Sequence, residues 1–178
     1  AGYETGSRAM NEDQLGMRSN LFGVFDGATS LDGYKDAGGR TGAYLASKIV
    51  ADTFAAACYS ASLESVAFEA NRRLRDKMLA MQVDVTNKLS CWSTTAAVAR
   101  VSENRLEWAQ IGDSLIMVIM HDGTWQLLTK EFDHDADTLS LLKEKGQEAA
   151  DADEIRVAKL ANVTYGFLNG EPEAMNFL

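Results

Sequence analysis

The sequence predicts an α+β fold arranged in layers, and three observations carry that expectation. Apolar residues recur at three- and four-residue steps through two consecutive stretches, residues 42–59 and 63–81, as one face of a helix requires. Beyond Leu89 the apolar period falls to two, the pattern of strands with one side turned to a core. Helical and strand patterns are thus grouped along the chain and do not alternate as β-α units, which favours antiparallel sheets flanked by helices over a doubly wound parallel sheet. With 178 residues, 46% hydrophobic and 24% charged, the chain suits one globular domain, residues 1–178.

Taken in order, Leu21-Phe22-Gly23-Val24-Phe25 reads as a buried strand that stops at the tight turn Asp26-Gly27. The first helix is carried by Leu45, Ile49, Val50, Phe54 and Ala57, and the second by Leu63, Val66, Ala67, Ala70, Leu74, Met78 and Met81. Ser62 is placed to cap the second helix, and the short connection before it makes the two helices antiparallel neighbours. Thr95, Ala97, Ala99 and Val101 then alternate with Ala96, Val98 and Arg100, and Ser102-Glu103-Asn104 supplies a turn. Further strands over 106–111, 115–121 and 124–128 are separated by Gly112-Asp113-Ser114 and by Asp122-Gly123, a strong hairpin signal. The middle of the chain is therefore expected to form an antiparallel meander. Residues 137–145 read as another short helix, and residues 149–178 carry no single pattern.

Composition excludes several functions. The net charge is -9 and no basic cluster stands out, which argues against a nucleic-acid partner. No run approaches the roughly 20 apolar residues of a membrane span, and residues 1–10 lack a signal pattern, so a soluble, cytoplasmic protein with no membrane contact in this segment is expected. Cys58 and Cys91 lie far apart and the chain has two histidines, so a thiolate zinc site is not assembled and both cysteines read as reduced packing residues. Trp92, Trp108 and Trp125 read as packing too, and His121 and His134 as structural or solvent-exposed.

Glu12-Asp13, Asp26 and Asp113 all fall at expected strand ends or loops. Carboxylates beside flexible backbone suit hard, oxygen-seeking cations such as Mg²⁺ or Mn²⁺. The same Asp-Gly and Gly-Asp-Ser steps also serve as ordinary turns. Their order lifts them above that reading: Arg8-Ala9-Met10-Asn11-Glu12-Asp13, Phe22-Gly23-Val24-Phe25-Asp26-Gly27, Ser93-Thr94-Thr95-Ala96 and Ile111-Gly112-Asp113-Ser114. In these pieces the sequence resembles the metal-dependent protein serine/threonine phosphatases of the PPM, or type-2C, family. Leu168-Asn169-Gly170 after Tyr165-Gly166 is similar to the bacterial branch that includes the stage II sporulation E-like phosphatases.

The resemblance implies a four-layer α-β-β-α sandwich of two antiparallel sheets between helices, with a site for two Mn²⁺ or Mg²⁺ ions in the complete domain. It implies that Asp26 bridges the ions and that Gly27 lends its carbonyl. Glu12 and Asp13 would bind one ion directly or through its waters, Arg8 would hold the phosphate, and Asp113 would offer an additional metal position. Asp26 and Asp13 thereby become the catalytic candidates, and a phosphorylated protein the substrate. The chain departs from the family pattern in having Ala28 where many members have His, and Leu115 where Arg is common. The family's two later metal-binding aspartates would fall beyond Leu178, so the C-terminal part of the domain is expected to be absent here. Weak metal affinity, negligible turnover and self-association through uncovered faces are expected of residues 1–178 alone. Asp122-Gly123 reads as a hairpin turn, not as one of those aspartates. The leading expectation is a phosphoserine/phosphothreonine phosphatase. A non-catalytic phosphatase-fold module that binds or regulates a partner is the alternative, and a small-molecule phosphoesterase the third reading.

Overall fold

The computed structural model describes residues 10–28, 33–131 and 167–175. Arg8, Asp133-His134 and the helix expected over 137–145 lie outside the described residues. The elements are β1 (Gln14–Arg18), β2 (Leu21–Phe25), β3 (Gly27–Ala28), α1 (Gly42–Ala56), α2 (Leu63–Ala80), β4 (Ser93–Thr94), β5 (Ala96–Ser102), β6 (Arg105–Ile111), β7 (Met117–Ile119), β8 (Trp125–Leu127) and a 3₁₀ turn (Pro172–Ala174). The fold is α+β with antiparallel sheets, as the sequence predicts. Among the described residues no helix is long and apolar enough to cross a membrane.

The main sheet has strand order β1-β2-β5-β6, every pair antiparallel. Leu21, Phe25, Ala96, Val98, Ala109 and Ile111 are buried on the side that meets the helices, packed with Val50 and Phe54 of α1 and Ala67 and Ala70 of α2. The Phe25 and Phe54 rings stand 5.7 Å apart, a tilted aromatic contact. Arg100 shares this buried side, and its guanidinium donates to Glu107 and to the carbonyls of Tyr59 and Ala61, so the charge is paired and ties β5 to the connection between the helices. The opposite side carries Leu15, Met17, Phe22, Val24, Val101 and Trp108, all exposed among the described residues. In the four-layer arrangement this is the side that a second sheet would cover.

Three sequence expectations are corrected. The middle strands do not form one meander: β5 and β6 make a hairpin in the main sheet, whereas β7 and β8 form a separate two-stranded sheet. The turn at 112–114 carries the chain away from β6, and Gly112 has φ 92°, a left-handed conformation that suits glycine. The tryptophans are not alike either. Trp92 is fully buried, but Trp108 and Trp125 are 43% and 67% exposed because no described element covers their faces. Cys91 is buried, whereas Cys58 is exposed and its thiol pKa is lowered by the hydrogen bond with Ser60. His121 is exposed, and Asp122-Gly123 is a hairpin turn, with Met120 N–H donating to the Thr124 carbonyl.

Both helices start on hydroxyl caps: Thr41 Oγ1 accepts from Tyr44 N–H, and Ser62 Oγ from Ser65 N–H. A second core of Leu45, Leu74, Met78, Val85 and Trp92 closes the far end of the helix pair. The segment 167–175 straps this end. Leu168 exchanges two main-chain hydrogen bonds with Thr94, Gly170 N–H donates to Asn71 Oδ1, and Glu171 pairs with Arg75 and Lys88.

Gly42 opens α1 against the Trp92 ring, where a Cβ would lie 2.3 Å from Cδ1. Gly42→Ala is expected to cost about 2 kcal/mol, read as a melting temperature lower by roughly 4–8 °C; an unchanged melting temperature would mean that the ring yields freely. The Arg75 hydrogen bond holds the Glu171 carboxyl below its ordinary range, with Lys88 adding to it. A carboxyl so lowered in the folded state stabilises the fold above its unfolded pKa of about 4.3, and that contribution is lost as pH falls through the lower folded value. Glu171→Gln should therefore reduce stability by about 0.5–1 kcal/mol near neutral pH. In urea titrations across pH the difference from wild type should vanish in acid, and a difference that persists there would exclude the ion pair as its source.

Candidate functional site

The site is built where the pairing of β2 with β5 is interrupted. Val24 pairs with Ala97 and, after the gap, Gly27 pairs with Thr94 in the same register, so Asp26 stands opposite Thr95. The Asp26 carbonyl accepts from Thr95 N–H at 2.9 Å and from Thr94 Oγ1 at 2.8 Å. The main chain at the break is thus satisfied, and Asp26, at the edge of the core, keeps an exposed position.

Glu12 is brought to the same place. A Cβ on Gly27 would lie 2.6 Å from the Glu12 carbonyl oxygen and 2.7 Å from that of Ala43, so only glycine lets β3 approach these backbones. Glu12 is 8% exposed. Its carboxylate oxygen Oε1 accepts from Thr41 Oγ1 at 2.6 Å, and its carbonyl accepts from Ser47 Oγ. Asp13 is exposed, and its N–H donates to Asn11 Oδ1 at 2.9 Å.

The turn bearing Asp113 is attached through hydroxyls. Thr95 Oγ1 and Ser114 Oγ are hydrogen-bonded at 2.8 Å. Gln110, 1% exposed, places Nε2 at 3.1 Å from the Gly112 carbonyl, 3.2 Å from that of Ser114 and 2.7 Å from that of Lys130. Asp113 itself is exposed. Hydrogen bonds therefore join the segments of Asp26-Gly27, Thr94-Thr95 and Gly112-Asp113-Ser114, and the Glu12 backbone packs against Gly27, while Arg8 lies outside the described residues.

The donors gathered here are carboxylate, carbonyl and hydroxyl oxygens, which fit a hard divalent cation in kind. Their number is small: among the described residues no group of three or more His, Cys, Asp or Glu forms a metal cluster. Thr41, Ser47, Thr95, Ser114 and Gln110 were not given roles by the sequence reading. The available signal for Thr41 was its place just before an apolar-periodic run, where a threonine caps a helix. No signal along the chain pairs it with a glutamate 29 residues earlier.

The family model described as protein phosphatase 2C matches residues 7–167. No curated protein matches the sequence. Solved structures do. The serine/threonine phosphatase PstP/Ppp of Mycobacterium tuberculosis is 20% identical with a TM-score of 0.61, the match covering 96% of this chain and 67% of that one. The catalytic domain of PstP in complex with two manganese ions is 20% identical with a TM-score of 0.58, covering 96% and 66%. The serine/threonine phosphatase Stp1 from Staphylococcus aureus is 19% identical with a TM-score of 0.60, covering 98% and 67%. At these identities the likeness is one of fold, and this chain spans about two thirds of each.

Proposed function

The chain belongs to the protein phosphatase 2C family, and from that premise we propose that it hydrolyses phosphoserine and phosphothreonine in proteins with divalent cations held at the Asp26 break. The observation that carries the reading is the convergence of Glu12 and Asp26-Gly27 at one point of the fold, with the Asp113 turn tied in through Ser114. We propose Mn²⁺ or Mg²⁺, two ions in a complete domain, supported by the all-oxygen donor set and by the two manganese ions of the PstP catalytic domain. When bound, such a pair supplies an acidified water for in-line attack on phosphorus and offsets the charge on the phosphoryl oxygens.

In this reading Asp26 spans the two cations and Gly27 offers its carbonyl. Glu12 and Asp13 hold one ion directly or through water, and Asp113 gives a further, weaker position. Arg8 takes the phosphate, since its planar fork of donors matches phosphate oxygens. The sequence holds no nucleophilic-elbow GxSxG and no phosphate-cradling cysteine loop, in keeping with direct attack by water and no covalent phospho-enzyme. Ala28 after Asp-Gly supports placement in the bacterial stage II sporulation E-like branch, as does Leu168-Asn169-Gly170. Two free cysteines accord with a cytoplasmic setting. The alternative, a non-catalytic module that binds a partner, is favoured by the small number of described metal donors.

Asp26→Asn is expected to leave the melting temperature within a few degrees of wild type while weakening Mn²⁺ binding at least tenfold by calorimetry. Equal Mn²⁺ affinity would remove Asp26 from the site. In a version with the domain completed, activity toward a phosphopeptide should require Mn²⁺ or Mg²⁺, and turnover surviving excess EDTA would exclude the mechanism. The sheet side left exposed among the described residues also supports self-association of residues 1–178, because an apolar face of this kind is one that a second copy can cover. Sedimentation should show a dimer that Val24→Lys with Trp108→Lys converts to monomer; a monomeric wild type at about 100 μM, well above the affinity of an ordinary stable interface, would contradict it.

A further inference from the structure

We propose that Thr41 is a positioning residue: its hydroxyl fixes the rotation of the Glu12 carboxylate and so sets how Glu12 meets a divalent cation. This rests on the reading of Glu12 as a cation ligand given above. Glu12 is 8% exposed as a residue, and buried polar side-chain atoms need hydrogen-bond partners. Thr41 Oγ1 stands 2.6 Å from Glu12 Oε1, the short distance of a hydroxyl donating to an ionised oxygen.

Thr41 has a second partner. The same Oγ1 accepts from Tyr44 N–H at 3.2 Å as the cap of α1. A hydroxyl has one proton and two lone pairs, so it can accept from the helix while donating its proton to Glu12. Cap and positioning contact are one atom used twice.

Thr41 is itself held. Lys35 forms a β-bridge with it across the preceding turn. Asp36 Oδ1 accepts from Gly38 N–H and Arg40 N–H, both at 2.9 Å, and Asp36 Oδ2 accepts from Arg40 Nε at 2.7 Å. On the other side Ser47, further along α1, donates to the Glu12 carbonyl. Side chain and main chain of Glu12 are therefore both fixed from α1, and a movement of that helix end is transmitted to the carboxylate. Hydrogen bonds of this kind to metal ligands are worth tenfold to a hundredfold in metal affinity.

The test is Mn²⁺ titration of the chain, read by calorimetry and by the electron paramagnetic resonance of free Mn²⁺. Thr41→Gly removes the hydroxyl at little cost to the helix, since glycine is tolerated at the cap position. It should weaken Mn²⁺ binding about tenfold in a chain that remains folded by circular dichroism at the titration temperature. Thr41→Ser, which keeps both cap and donor, should restore wild-type affinity. In a Glu12→Gln background Thr41→Gly should produce no further loss, because Thr41 acts through Glu12. Wild-type affinity in Thr41→Gly overturns the proposal, as does an equal loss from Thr41→Gly in the Glu12→Gln background. If the wild-type chain binds no Mn²⁺, the cation reading falls with it; if wild type binds and Thr41→Gly binds equally, only the role of Thr41 falls.

Discussion

The described site depends on a single main-chain carbonyl. Where β2 stops pairing with β5, the Asp26 carbonyl takes Thr95 N–H and Thr94 Oγ1 together. A broken ladder inside a core would ordinarily leave a polar group without a partner, at a cost of about 1–3 kcal/mol. Here the carbonyl keeps its register partner Thr95 N–H as donor and gains the Thr94 hydroxyl as a second, so the acidic residue sits where the sheet opens without an unpaired carbonyl. The consequences extend outward. Thr94 is also the residue that Leu168 pairs with, and Thr95 carries the contact to Ser114. Segments at 26, 94, 113 and 168 are thereby parts of one hydrogen-bonded unit, against which the Glu12 backbone packs at Gly27.

The choice of hydroxyls over cations as supports has a physical logic. Thr41 and Ser47 stabilise Glu12 without cancelling its charge, so its field remains available to attract a cation. A lysine or arginine in the same place would compete with the ion for the carboxylate. Guanidinium and ammonium groups hold carboxylates elsewhere in the fold. Arg40 pairs with Asp36, Arg75 and Lys88 with Glu171, and Arg100 and Arg105 with Glu107. Arg72 and Arg73 hold the Glu69 carboxyl down to about 2.

How much of this was legible in the sequence depends on how far each feature reaches. The helices and β2 were legible because their signals are local: apolar spacing, a serine before Leu63, an Asp-Gly after Phe25. The strands β3 and β4 have two residues each and exist only by pairing with one another, 66 residues apart, so no local period announces them. The positions of Glu12, Asp26 and Gly27 became significant through motif order, which is a family pattern and not a physical derivation. The supports Thr41, Ser47 and Gln110 stayed silent because a buried hydroxyl or amide declares its partner only in three dimensions. The exposure of Trp108 and Trp125 was misjudged for the converse reason: a large apolar side chain signals a face to be covered, and the described residues do not cover it.

The same scaffold bears on the choice between an enzyme and a binding module. Fold alone does not decide it, since one architecture serves both. What matters is whether the geometry of the ligands depends on the ion. In a metal-folded site the ligands are disordered until the cation arrives, and loss of metal is loss of structure. Here Glu12 is held by α1, Asp26 by its own carbonyl contacts, and the Asp113 turn by Gln110 and Ser114. Each support is a protein hydrogen bond. The number of oxygens gathered around an ion then separates a catalytic pair from a loosely held single ion.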